Sequence, residues 1–271
     1  MAMTFRTVGV AAALFACFVG LSFSQEAGPA APTKLVLDLK TDKSTYLPGE
    51  LVRLTFRLYS RTGDVATPDR FSVTDGSLAV LIAAGPGPFL EYDGPGWGTK
   101  RVVAKSVLLQ PGKAIESTAT LLYDQVPETR HLSALYADQQ LAGRIRQEYP
   151  LGEPGTYSLK AVFRGGPYSE EPVESAPVSV TVKKPAGPEL EAWNILRADP
   201  RLGFVLQTGM LPGAPTAAEE NHVQDTLGDL ISRYPNTVYY AEMQAALTRL
   251  RAHVQKTRGG IRRSSESGGV S

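Results

Sequence analysis

Glu219 and His222 stand three residues apart in a stretch of helical character, which puts a carboxylate and an imidazole on one helix face. That pair is half of a ligand set for a di-iron carboxylate centre. The complete set needs the motif twice, plus two glutamates from further helices, and these are not recognisable in the chain. The remaining histidines, His131 and His253, have no partner at metal-ligand spacing, and no HExxH occurs. A solvated helix face accounts for Glu219 and His222 better than a metal does, so no metal or cofactor is expected.

Covalent catalysis has no clearer footing. There is no Gly-x-Ser-x-Gly elbow, and Glu170-Glu171 and Glu219-Glu220 are adjacent, so neither pair shares a face of a strand or helix. The Gly-rich loops at 85–88 and 94–98 are broken by proline and open no helix, so they lack the donors that cradle a phosphate. No catalytic residue is nominated, although an enzyme with a site assembled from scattered residues stays open. Trp97, between Gly96 and Gly98 with Phe89 and Tyr92 nearby, is the best candidate for contact with a partner. The competing reading is a loop folded down over the core. Arg258, Arg262 and Arg263 near the C-terminal end either touch an anionic surface or are simply solvated.

These residues sit behind an N-terminal stretch of a different kind. Arg6 precedes an uninterrupted small and apolar run from Val8 to Leu21, and Ser22 and Ser24 place small residues before a cleavage point after Ser24. That layout predicts a secretory signal peptide over 1–24 and an exported protein, periplasmic or extracellular. The run is shorter than the roughly 20 residues that span a bilayer. No second such run follows, so no stable membrane span is expected after cleavage. The sole cysteine, Cys17, opens an alternative, because Leu14-Phe15-Ala16-Cys17 resembles a bacterial lipoprotein box. The bulk of Phe15 and the apolar residues that follow Cys17 count against lipidation. Without Cys17 the mature chain has no disulfide and depends on its core.

Composition agrees with a globular chain: 42% hydrophobic, 20% charged, and a formal net charge of +1, which leaves no basic face for nucleic acid. Residues 25–33 read as a spacer. From Lys34 the pattern has period two: Leu35, Leu37 and Leu39, then Val52, Leu54, Phe56 and Leu58, alternate with polar residues. Leu78 to Ala84 reads as an inner strand, and Ala114 to Tyr123, Tyr157 to Arg164 and Val178 to Val182 as further strands. Pro48-Gly49 and Pro111-Gly112 suit type II turns. Short strands with turns and no helical periods between them predict an antiparallel β-sandwich over 34–184. Within it, 132–145 looks helical.

After Lys184-Pro185 the period becomes helical, predicting a module over 185–256. Leu190, Trp193 and Leu196 share a face, Asp199-Pro200 starts a second helix, and Thr216 with Glu219 forms a capping box. Asn236 is positioned to cap the last helix. Residues 257–271 read as a disordered tail.

Glu153-Pro154-Gly155-Thr156-Tyr157-Ser158-Leu159 resembles the strand-F motif of immunoglobulin domains, with glutamate for the usual aspartate and Leu159 for the cysteine. The resemblance implies that the Tyr157 hydroxyl bonds back to upstream backbone. Lys43, Tyr46 and Pro48-Gly49-Glu50, followed by an alternating strand, resemble the first hairpin of bacterial immunoglobulin-like modules. These include the bacterial intracellular proteinase inhibitor domain and macroglobulin-like domains. Tyr234-Pro235-Asn236-Thr237 followed by Tyr240-Ala241 is similar to the signature between tetratricopeptide-like helices, in a single copy. The expected fold is mainly β, an antiparallel immunoglobulin-like β-sandwich followed by a small α-helical module. The expected function is a non-catalytic binding or structural protein of the bacterial envelope, with another envelope protein or a glycan as partner. The inhibitor-like resemblance implies proteinase inhibition as the alternative.

Overall fold

In the computed structural model, residues 35–95, 104–124, 149–164 and 172–266 are described, with side chains as far as Thr257. The signal peptide, Cys17, the spacer, Trp97, His131, the 132–145 stretch, Glu170-Glu171 and the side chains of Arg258, Arg262 and Arg263 lie outside them. Strands and helices are both extensive, with strands in the majority and pairing mostly antiparallel.

Period two translates directly into burial. β1 (Leu35–Thr41) pairs with β3 (Val52–Ser60), setting Leu37 opposite Leu58 and Leu39 opposite Phe56. Along β3 the apolar members are fully buried while Arg53, Thr55 and Arg57 are exposed. β8 (Ala114–Leu121) lies on the other side of β3 and ends this three-stranded sheet. A larger sheet runs in the order β2 (Thr45–Tyr46), β11 (Val178–Val182), β9 (Gly155–Phe163), β5 (Leu78–Ala84) and β6 (Leu90–Tyr92), with β10 (Val173–Glu174) also on β9. Among the described strands, the β2–β11 pairing is parallel and the others are antiparallel. Both sheets contribute to one core that includes Leu37, Phe56, Leu121, Val80, Leu159 and Phe163. A separate ribbon joins β4 (Val65–Pro68) to β7 (Ser106–Leu109).

The turn chemistry acts as expected. Glu50 N–H donates to the Leu47 carbonyl at 3.1 Å across Pro48-Gly49, with Gly49 at φ 74°. Lys113 N–H does the same to Gln110 across Pro111-Gly112. The Tyr157 hydroxyl donates to the Glu153 carbonyl at 2.8 Å, the upstream bond foreseen for it.

Four helices follow: α1 (Gly187–Ala198), α2 (Pro200–Thr208), α3 (Ala217–Arg233) and α4 (Tyr240–Glu266). Asp199 caps α2, accepting from Arg201 N–H at 3.1 Å, and the Thr216–Glu219 capping box closes in both directions. Three helical expectations need correction. Leu190 is 38% exposed, because α1 faces the core with Ala192, Trp193 and Leu196 instead. Asn236 does not cap α4: the chain makes a further turn, Tyr240 N–H donating to the Thr237 carbonyl at 3.2 Å, which buries Tyr239. Finally, α4 runs past Thr257 to Glu266. A helix already nucleated by the packing of Met243, Leu250 and Val254 gains a bond for each residue added.

The helices do not hang from a linker. Their core takes in Leu51, Leu122, Tyr123 and Tyr149 from the β half. Trp193 packs edge-on against Tyr149, ring centroids 4.9 Å apart, and lies directly on Gly49, where a Cβ would come within 2.2 Å of its ring. The Tyr239 hydroxyl donates to the Pro48 carbonyl at 2.7 Å. Gln207 bridges the same junction: its amide nitrogen donates to the Thr120 carbonyl at 2.6 Å and the Tyr92 hydroxyl at 3.0 Å, and its oxygen accepts from Tyr123 N–H at 2.8 Å. Arg53 and Glu242 form an ion pair at its edge.

Two substitutions test this architecture by chemical denaturation. Gly49→Ala combines a left-handed backbone with a collision against Trp193 and should lose about 2–4 kcal/mol, with sheets and helices still unfolding together. Tyr157→Phe removes one neutral hydrogen bond and should lose about 1 kcal/mol.

Candidate binding surface

β3 starts at the helical junction with Val52 and ends at Ser60; β8 returns from Ala114 to Leu121. Ser60 and Ala114 therefore mark the end of the sheet remote from the helices. The β4–β7 ribbon continues from that end, with Ser60 bridged to Pro111 at its base. Asp69 closes the ribbon's far side: its carboxylate accepts from Lys105 N–H at 3.0 Å and its own N–H donates to the Lys105 carbonyl at 2.7 Å. Underneath, Leu109 and Thr67 are buried, and Phe71 meets Phe163 edge to face at 5.7 Å. Above, Leu108 is 62% exposed, with Val107 exposed beside it. Arg61, Lys105 and Lys113 are exposed along the ribbon and its base. A ribbon that exposes apolar side chains between cations suits contact with a macromolecule.

The helices offer a second concavity. An open groove of about 780 Å³ runs along α3 and α4, lined by Ile231, Gln244, Ala245, Thr248 and Arg251. Near its far side, Arg249 crosses to donate to the Leu206 carbonyl at 3.0 Å, closing the C-terminal end of α2.

The sequence candidates are dispersed. Glu219 is held by the Thr216 cap, while His222 turns to Asp199, Nε2 to Oδ2 3.4 Å. His253 is exposed on α4. Among the described residues, no group of three or more His, Cys, Asp or Glu is placed to hold a metal. Phe89 and Tyr92 part company: Phe89 is exposed with Lys160 Nζ 5.7 Å from its ring centre, whereas Tyr92 is buried and donates to the Tyr123 carbonyl at 2.7 Å. The ribbon escaped sequence reading because four-residue strands show too little alternation. The adjacent Val107-Leu108-Leu109 run was its one trace.

Among the described residues, no helix is long and apolar enough to cross a membrane. No family model matches the chain, and no curated protein matches its sequence. Solved structures match loosely. The sporulation control protein Spo0M of Bacillus subtilis is 11% identical over 61% of this chain and 55% of its own, with a TM-score of 0.28. The alkylpurine DNA glycosylase AlkC of Pseudomonas fluorescens is 13% identical over 55% of this chain and 30% of its own, with a TM-score of 0.30. A β-glucosidase of Listeria innocua is 14% identical over 55% of this chain and 16% of its own, at 0.24. The chain thus spans about half the length of the first and less of the others. Likeness at this level assigns neither family nor activity.

Asp199 is a carboxylate whose titration the fold shifts. Burial pushes its carboxyl up, but the Arg201 side-chain and backbone hydrogen bonds outweigh that and hold it below 3.8, its ordinary value. Arg201, His222 and Glu219 are the charged groups facing or flanking it. A lowered folded pKa stabilises above the unfolded value and is lost as pH falls through the folded one. Acidification below about pH 4 should therefore destabilise the wild type more than Asp199→Asn, which keeps a capping oxygen without the charge. Urea midpoints measured across that range check this.

Proposed function

We propose that this protein is a non-catalytic, exported binding or structural component of the bacterial envelope. It acts through an immunoglobulin-like β-sandwich whose free end contacts another envelope protein or a glycan. The observation that carries the reading is the division of labour between the two ends. Helices seal one end of the β half, and the other carries a ribbon on which Leu108 and Val107 are exposed.

Strand order supports the immunoglobulin-like part. One sheet runs β1-β3-β8 and the other β11-β9-β5-β6, which correspond to strands A-B-E and G-F-C-C′ of that fold. Tyr157, at the start of the strand that corresponds to F, makes the corner bond, and Leu159 fills the core where the family has a cysteine. On this reading the ribbon belongs to the B–C side, the end at which variable-type domains carry their binding loops. The helical hairpin is tetratricopeptide-like in its turn sequence and serves as a fixed cap.

Crosslinking capture from the native envelope with the whole chain as bait tests the proposal. Leu108→Asp should lose the captured partner at unchanged thermal stability, because the side chain is already exposed. Arg251→Glu, in the helical groove, should retain it. Capture that survives Leu108→Asp and fails with Arg251→Glu moves the function to the helices and defeats this reading.

A further inference from the structure

We propose that the outward face of α4 is a membrane-contact surface, by which the protein lies against a bilayer carrying anionic phospholipid headgroups. The net charge of +1 conceals how the chain segregates its charge. Residues 243–265 hold six Lys and Arg and no Asp or Glu, so the remainder of the chain is net negative. That whole segment lies within α4.

Helical register sorts these cations into two rows. Arg249 and Lys256 stand seven residues apart, about two turns, on one side of α4, and Arg251 stands on the other. Between the rows lie Thr248, Ala252 and Gln255, all exposed. Met243, Leu250 and Val254 bury the opposite face in the helical core. The helical backbone runs on to Glu266, so positions 258 and 262 fall in the row of Arg251 and position 263 in that of Lys256. From 249 to 263 the array is about 21 Å long.

The protein does not neutralise this face. Among the described residues, Arg251 and Lys256 have no hydrogen-bond or ion-pair partner, whereas Arg53, Lys160 and Arg233 each meet a carboxylate. The groove along α3 and α4 is lined by Arg249 and Arg251 and by no acidic residue. Asp225 and Asp229 of α3 line a separate cavity with Ile195 and His222.

Charge complementarity calls for an anionic occupant, and the rest of the face selects a lipid surface. No Phe, Tyr or Trp occurs between Ala241 and Glu266, so nucleic-acid bases have no stacking platform. The groove offers only short alanines and a buried Leu247, which leaves no pocket for the anchor residues of a peptide. Two rows of long cationic side chains flanking small, neutral residues suit a plane of mobile headgroups, which can gather beneath each charge.

Cosedimentation of the whole chain with vesicles tests this, comparing pure phosphatidylcholine with about three parts phosphatidylcholine to one of phosphatidylglycerol. The apolar N-terminal run is common to all variants, so the difference between the two lipids is what reports on α4. Anionic vesicles should bind more tightly, and the preference should disappear as sodium chloride rises from about 0.05 to 0.5 M. Arg251→Gln should weaken anionic binding about fivefold, and Arg251→Gln with Lys256→Gln about thirtyfold, at unchanged thermal stability. Arg61→Gln, an exposed cation on the β half, should leave it unchanged. Equal binding to both lipids overturns the proposal, as does a double variant that binds like the wild type or a loss of the same size with Arg61→Gln. Release from the vesicles by polyglutamate, at a charge concentration well below that of the lipid, also overturns it and gives the face to an acidic protein. Leu108→Asp should leave vesicle binding intact, so this proposal and the envelope-partner reading fail separately.

Discussion

The missing side chain of Gly49 is the constraint on which the rest of the structure depends. Position 49 must take φ 74° to turn the chain from β2 into β3, a conformation that side chains disfavour. It must also leave room for Trp193, whose ring occupies the space a Cβ would fill. The first requirement is local and fixes the direction of β3. The second is distant and fixes α1, and through Tyr149 and Leu196 the remainder of the helical core. One residue thus sets both halves of the molecule in a single frame, and the Pro48 carbonyl presented by the same turn holds Tyr239.

The junction around that turn is polar. Burial pushes the hydroxyls of Tyr92 and Tyr239 far above their ordinary range, so they remain neutral donors. Gln207 supplies an amide where a carboxylate or ammonium would carry a desolvation penalty. The Arg53–Glu242 pair lies at the margin of the junction, while the carboxylates of Glu50 and Asp124 are buried beside it.

What could be read in advance follows from the distance over which each rule acts. β1, β3 and β9, both Pro-Gly turns and the Thr216–Glu219 box are written in runs of a few residues, and each has its foreseen conformation. The seat of Trp193 was hidden because Gly49 already had a sufficient local explanation. Gln207 carried a faint clue as the one amide following Phe204, Val205 and Leu206, but nothing in α2 names Thr120 or Tyr92 as its partners. Asn236 misled for the opposite reason, since a good capping residue was passed over once Tyr239 found burial one turn later. The aromatic residues around Phe89 could not be sorted by composition, because Tyr92 and Phe89 have opposite environments three residues apart.

The span of the Tyr239–Pro48 bond, 191 residues, has a kinetic meaning. Loop-closure entropy makes such contacts late events in folding. A chain made from its N-terminus completes β1, β3 and the Pro48-Gly49 turn long before Trp193 and Tyr239 appear. The β half must therefore stand with its seat open, exposing Leu51, Leu122 and Tyr123, until the helices arrive to cover it. For that interval the unfinished molecule is at its most adhesive, and how quickly α1 to α4 are delivered decides whether it closes on itself or on a neighbour.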